Sequence, residues 1–220
     1  MEFLVEFEVN VPSGTAESDV EEREQAEAVA AAKLSAEGHL ERLWRKSVAS
    51  CQDAVLGLYC ADGATELSRL LSALPLYEWM DVVVTPLDPH PNDPTRHGMD
   101  PTATGRAGGS VCRMERSAGT EYLVTMTTHV PDGTAADAVE AIRAREAARS
   151  AELAAEGHLL RLWRPPLEPG EWRTLGLFAA RDDVELEQVL KSMLLRLWRT
   201  DTVAALGSHP NDPASHASVS

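Results

Sequence analysis

From Glu2 to Val11 the chain alternates with a period of two. Phe3, Val5, Phe7, Val9 and Val11 fall on one face, and Glu2, Leu4, Glu6 and Glu8 on the other. That pattern predicts a strand with one apolar face, ended by Pro12, Ser13 and Gly14. The Ala/Glu-rich stretch from Thr15 to Glu37 predicts a helix, with Gly38 where a helix C-terminus is expected. Leu40 to Ser47 and Ala54 to Ala61 read as two further strands. Gly63 to Leu74 reads as a shorter helix stopped by Pro75, and Glu78 to Leu87 as a fourth strand. The order β-α-β-β-α-β is the split-βαβ or ferredoxin-like unit. It puts both helices on one face of a four-stranded sheet and leaves the other face to be covered.

The whole pattern then recurs. AEGHLERLWR (Ala36 to Arg45) returns as AEGHLLRLWR (Ala155 to Arg164), and HPNDP (His90 to Pro94) returns unchanged as His209 to Pro213. At the same constant offset, Leu56-Gly57-Leu58 falls on Leu175-Gly176-Leu177. The fold class expected is therefore α+β, with two tandem ferredoxin-like units. The first spans 1–94, and the second, more diverged, spans 121–213. Residues 95–120, rich in Gly, Thr and Ser, read as a flexible linker, and 214–220 as a tail. Fusion gives each sheet a partner at high effective concentration, so the units are expected to pair as an intramolecular dimeric α+β barrel.

Candidate chemistry lies on the first helix of each copy. Val20, Glu27 and Leu34 are spaced by seven and share one stripe; Val139, Glu146 and Leu153 repeat them. A glutamate between two apolar positions either loses water, which raises its pKa toward the range useful for proton transfer, or snorkels out from the edge of the stripe. On the strand of the decapeptide, Arg42 and Trp44 point one way and Leu43 and Arg45 the other, repeated by Arg161, Trp163, Leu162 and Arg164. Arg45 with Trp44, and Arg164 with Trp163, are candidates to seat a substrate carboxylate or enolate; the tryptophans serve equally well as core. His39 and His158 follow the capping glycines and suit a helix C-terminus. His90 and His209, in a proline-rich turn, are read as loop residues. No histidine stands at metal-ligand spacing, and no phosphate loop or nucleophile elbow occurs, so neither metal nor cofactor is expected.

Composition narrows the partners. A net charge of −15 disfavours nucleic acid and anionic membrane, both of which need a basic patch. No apolar run reaches the length of a membrane span, and the N-terminus lacks the pattern of a signal peptide. Three cysteines, Cys51, Cys60 and Cys112, form no CxxC pair and point to a reducing, cytoplasmic setting. A small-molecule substrate is the partner left standing.

EGHLERLWR after an Ala/Glu helix, followed by LSALPLYEWMDVVVTPLDPHPNDP, resembles the muconolactone Δ-isomerase family. The resemblance covers Glu2 to Pro94 well and Glu121 to Pro213 less well. It implies a 1,3-proton shift in a small unsaturated lactone without cofactor, in proteins that self-associate, so a homo-oligomer is left open here. By the same resemblance Glu27 and Glu146 are the catalytic candidates, and Trp44, Arg45, Trp163, Arg164 and Asp81 bind substrate. The chain departs from the family where an Asn is usual, with Gln52 flanked by Cys51 and Asp53 in one copy and Glu171 in the other. LPLYEWMD also becomes LLRLWRTD in the second copy. The expectation is a cofactor-independent isomerase or cyclase acting on a small to medium oxygenated carbonyl or lactone compound, in specialised biosynthesis. The alternative is a non-catalytic small-molecule-binding or accessory protein that kept the fold.

Overall fold

The computed structural model describes residues 1–47, 53–97, 114, 117, 119–167 and 170–216. Most of the expected linker, and the Gln52 position with Cys51 and Cys112, lie outside the described residues. Two compact units result. The first combines Met1–Leu87 with the chain from Gly207 onward, and the second combines the chain from Asp88 with the stretch that ends at Leu206. Each unit therefore differs from a sequence repeat at its end, taking the HPNDP segment of the other copy.

In the first unit β1 (Glu2–Val9), α1 (Glu17–Ala36), β2 (Leu40–Ser47), β3 (Asp53–Cys60), α2 (Ala64–Ser72) and β4 (Met80–Pro89) follow one another. The four strands are antiparallel in the order β4-β1-β3-β2. The alternation of β1 is realised: Phe3, Val5 and Phe7 are buried, while Glu2, Leu4 and Glu6 are only partly so. Leu34 and Ala31 of α1 and Leu67 and Leu71 of α2 close over that apolar face. Glu17 and Asp19 at the start of α1 and Lys33 at its end complement the helix dipole. The chain leaves α1 through Gly38 at φ 80°, a conformation cheap only for glycine.

The second unit repeats this with β5 (Thr120–Thr128), α3 (Ala136–Ala155), β6 (Leu159–Arg164), β7 (Arg173–Ala180), α4 (Asp183–Ser192) and β8 (Arg199–Ser208), in the order β8-β5-β7-β6.

The ends of β4 and β8 explain the exchanged segments. Asp88 and Pro89 pair with Arg164 and Trp163 of β6, and His90 N–H donates to the Leu162 carbonyl at 3.0 Å. Asp93 then meets Arg161, Oδ2 to Nη2 at 3.3 Å, both buried. In the first unit Asp212 meets Arg42, Oδ1 to Nε at 3.1 Å, both 1 % exposed. The HPNDP turn is therefore a clamp, seated on a buried arginine, rather than a free loop.

Candidate functional site

Each unit holds a cavity on the helix-facing side of its sheet. The first, of about 340 Å³, is lined by Val20 and Glu27 from α1, Arg45 from β2, Tyr59 from β3, Met80 from β4, and His209. The second, of about 740 Å³, carries the counterparts Glu146, Arg164 and Arg199, with His90 at the place of His209. Strand parity selects these side chains: Leu43 and Arg45 share the cavity side of β2, and Phe7 and Val9 that of β1.

Glu27 and Glu146 have the same anchor. Leu76 N–H donates to Glu27 Oε2 at 3.1 Å, and Leu195 N–H donates to Glu146 Oε2 at 3.1 Å. Beyond that they diverge. Glu27 makes no ion pair with any described residue, and burial raises its carboxyl pKa, against the smaller lowering effect of the Leu76 amide. Glu146 is buried, and its Oε1 accepts from Arg199 Nη1 at 3.3 Å. Arg199 in turn donates to Asp201, Nε to Oδ1 at 2.6 Å, and Arg196 also pairs with Asp201. Met80 and Val82 occupy the equivalent positions of β4, as the matching registers place them: Val9 with Met80 and Phe7 with Val82, against Thr128 with Arg199 and Met126 with Asp201. The same glutamate thus stands alone in one unit and inside a buried charge cluster in the other.

The loop histidines also belong to the cavity walls, which their proline-rich turn alone does not indicate. His90 and His209 line the two cavities. In each ring Nδ1 accepts a backbone N–H two residues on, from Asn92 and Asn211 at 3.1 Å. Burial, then Arg164 and Arg143, push the pKa of His90 down to about 4, and burial with Arg45 lowers that of His209 against the opposing pull of Asp212. Both are neutral imidazoles at neutral pH, with Nε2–H as their donor. The unchanged HPNDP string, in a segment where the copies otherwise differ, was the available signal.

Arg45 and Arg164 line the cavities. Trp44 and Trp163 do not, and this corrects their grouping with those arginines. They sit on the opposite strand face, buried, each under the guanidinium of Arg42 or Arg161 at 4.8 Å from the ring centroid. Asp81 is also off the cavity: it neighbours Met80, so strand alternation turns it away, and its exposed Oδ2 accepts from Asn10 Nδ2 at 2.8 Å. Glu171 lines the second cavity, paired with Arg173 at 2.6 Å. His39 and His158 hold strand ends, with Nδ1 3.0 Å from the carbonyl oxygens of Cys60 and Ala179. Among the described residues Glu2, Glu41 and Cys60 could converge on one metal ion, a cluster the spacing did not suggest. There the Cys60 thiol donates to Glu41 Oε1 at 2.9 Å, and burial and Glu41 push its pKa up, which keeps it a thiol. No helix among the described residues is long and apolar enough to cross a membrane.

Comparison with known proteins agrees with this duplicated arrangement. The muconolactone delta-isomerase of Cupriavidus pinatubonensis (strain JMP 134 / LMG 1197) is 32% identical over 92 residues, which are 42% of this chain and 97% of that protein. Two solved structures share the fold over nearly the full chain. One is a heme-binding protein from Thermus thermophilus, with a TM-score of 0.58, 14% identity and coverage of 98% of this chain and 93% of the other. The other is a mutant chlorite dismutase from Candidatus Nitrospira defluvii, with a TM-score of 0.53, 9% identity and coverage of 96% and 92%. At these identities the likeness is one of fold. The muconolactone delta-isomerase family model matches residues 1–93 and again 120–212, so the chain is a member of that family carrying two copies of its domain.

Proposed function

We propose that the first unit is a cofactor-independent isomerase site, and that it moves a proton within a small to medium oxygenated carbonyl or lactone compound. The observation that carries this reading is the state of Glu27, a half-buried carboxyl that lines a cavity without a cationic partner among the described residues. A raised pKa makes its carboxylate a stronger base than an exposed one, and the acid it becomes can return the proton. The Glu27 carboxylate takes a proton from a carbon activated by the substrate carbonyl, and the electron pair passes into a dienolate. The resulting acid returns the proton at the far end of the conjugated system, which moves the double bond and restores Glu27. Arg45 at the cavity rim seats a substrate carboxylate, and the neutral His209 offers Nε2–H as a further donor. A volume of about 340 Å³ suits a ligand of that size. A role in specialised biosynthesis fits the departures from the family pattern.

The second unit supports binding rather than proton transfer. Arg199 holds Glu146 in a buried ion pair, so that carboxylate is already engaged by a cation inside the unit, whereas Glu27 has no such partner among the described residues. In heavy water, with muconolactone and a panel of unsaturated lactones and polyketide-like carbonyl compounds, the protein is expected to put deuterium into at least one compound. Glu146→Gln should keep that rate within about threefold. Loss of exchange in Glu146→Gln would move the chemistry to the second unit. No exchange with any compound, alongside thermal stabilisation by the larger ones, would replace the isomerase by a cyclase or a binder.

A further inference from the structure

The two cavities differ at a second position, for which neither the repeat nor the family match gives a role. Tyr59 on β3 pairs with Phe3 of β1, just as Phe178 on β7 pairs with Tyr122 of β5, so Tyr59 and Phe178 are structural counterparts. The phenol is present only in the unit whose glutamate is uncompensated. Its ring lies over Gly57: a Cβ there would collide with the ring edge and crowd Leu43 Cδ1 at 3.3 Å. Phe7 meets the ring edge-on, with centroids 6.1 Å apart and planes at 67°. The ring is thus fixed, and only 3 % of the residue is exposed.

Tyr59 lines the cavity together with Glu27. Its hydroxyl makes no hydrogen bond to any described residue, although a buried phenol normally finds a partner. Nor is that oxygen a sealed, orphaned atom. The Phe7 contact and the space over Gly57 hold a donor at the cavity wall with its bonding capacity in reserve. Burial, and then the Glu27 charge, raise the pKa of the phenol, so it stays protonated and donates throughout the accessible pH range.

Building on the isomerase reading of this cavity, we propose that Tyr59 is a catalytic hydrogen-bond donor to the substrate's carbonyl oxygen. As Glu27 withdraws the proton from carbon, the electron pair moves onto that oxygen. The Tyr59 O–H donates to the growing negative charge and keeps its own proton; when Glu27 returns the proton to carbon, the charge leaves the oxygen. No oxidant or second reactant is required. The substrate class follows: a conjugated carbonyl compound whose oxygen reaches the β3 wall while a carboxylate reaches Arg45 at the rim.

Tyr59→Phe tests this, and Phe178 indicates that the substituted unit folds, since a phenylalanine already fills the counterpart position fully buried. Deuterium exchange in heavy water would be followed for wild type, Tyr59→Phe and Glu27→Gln on the same lactone panel. The expected result is a loss of about 10²-fold in kcat with KM nearly unchanged, as for removal of one oxyanion donor, and an unshifted melting temperature. Wild-type kcat in Tyr59→Phe, with Glu27→Gln inactive, overturns the role of Tyr59 and leaves the isomerase reading intact. A raised KM at constant kcat makes Tyr59 a uniform binding contact and also overturns it. Absence of exchange in the wild type overturns both.

Discussion

Glu27→Gln is expected to abolish deuterium exchange, with a rate loss of about 10²–10⁴-fold, the range for removal of a positioned acid–base group. The amide keeps the shape of the side chain and can still accept from Leu76 N–H, so the anchor at 3.1 Å survives and only the proton-transfer capacity is lost. Stability should move the other way. Because the folded pKa of Glu27 is raised, the folded chain binds more protons than the unfolded chain between the two pKa values. The contribution of Glu27 is therefore fully present below the unfolded value and is lost as pH rises through the folded one. Once ionised, the buried side chain is a burden that glutamine removes. The variant should melt no lower than wild type above the raised pKa, and the wild-type advantage should appear only in acid. In the active protein the rate should rise with pH through the raised pKa of Glu27, as the carboxylate base forms. Exchange retained in Glu27→Gln, or a rate that falls over that interval, would remove Glu27 from the mechanism. Glu146→Gln should behave oppositely in melting experiments, because it leaves Arg199 with Asp201 alone as carboxylate partner inside the unit.

The contrast between the two glutamates was half legible in the sequence. Spacing by seven placed Glu27 and Glu146 on one stripe with Val20, Leu34 and their counterparts, and both reach a cavity. That Met80 becomes Arg199 was also visible. What the string could not supply is that position 199 pairs with position 146, because a charge pair between a helix and a strand is fixed by packing and not by periodicity. The strands and helices themselves were local matters of alternation, glycine and proline, and they came out within a few residues. Trp44 shows the opposite case. Its parity with Arg42 was readable, yet its neighbour Arg45 drew it into the site; on a strand, adjacency in sequence means opposite faces. The HPNDP turn was the largest gap. Its local composition says loop, while its function depends on Arg42 or Arg161 in the other repeat, contacts that no window of sequence contains.

Asp212→Ala tests that long-range clamp and should cost the first unit about 3–5 kcal/mol, the range for breaking a buried ion pair on one side only. Asp212 is 1 % exposed and its carboxylate is fully used. It accepts from Arg42 Nε at 3.1 Å and Nη2 at 3.2 Å, from Leu43 N–H at 3.1 Å and from Ala214 N–H at 3.4 Å. Alanine leaves the buried guanidinium over Trp44 without its carboxylate and strips the Leu43 amide of this acceptor, and each loss carries a desolvation cost. The cost reaches the chemistry through the turn. Asp212 N–H donates to the His209 carbonyl at 3.0 Å, so a loosened Asp212 releases the histidine that lines the Glu27 cavity. Calorimetry should show a lower melting temperature, and exchange kinetics a raised KM, because the wall of the site is no longer fixed. Asp212→Asn, which keeps an acceptor but not the charge, should fall between wild type and alanine. A loss below about 1 kcal/mol, the value of an exposed pair, would mean that the turn only rests on Arg42. Asp93→Ala supplies the internal control: it should weaken the second unit to a similar degree through Arg161, and leave exchange at Glu27 in place at temperatures where both units are folded.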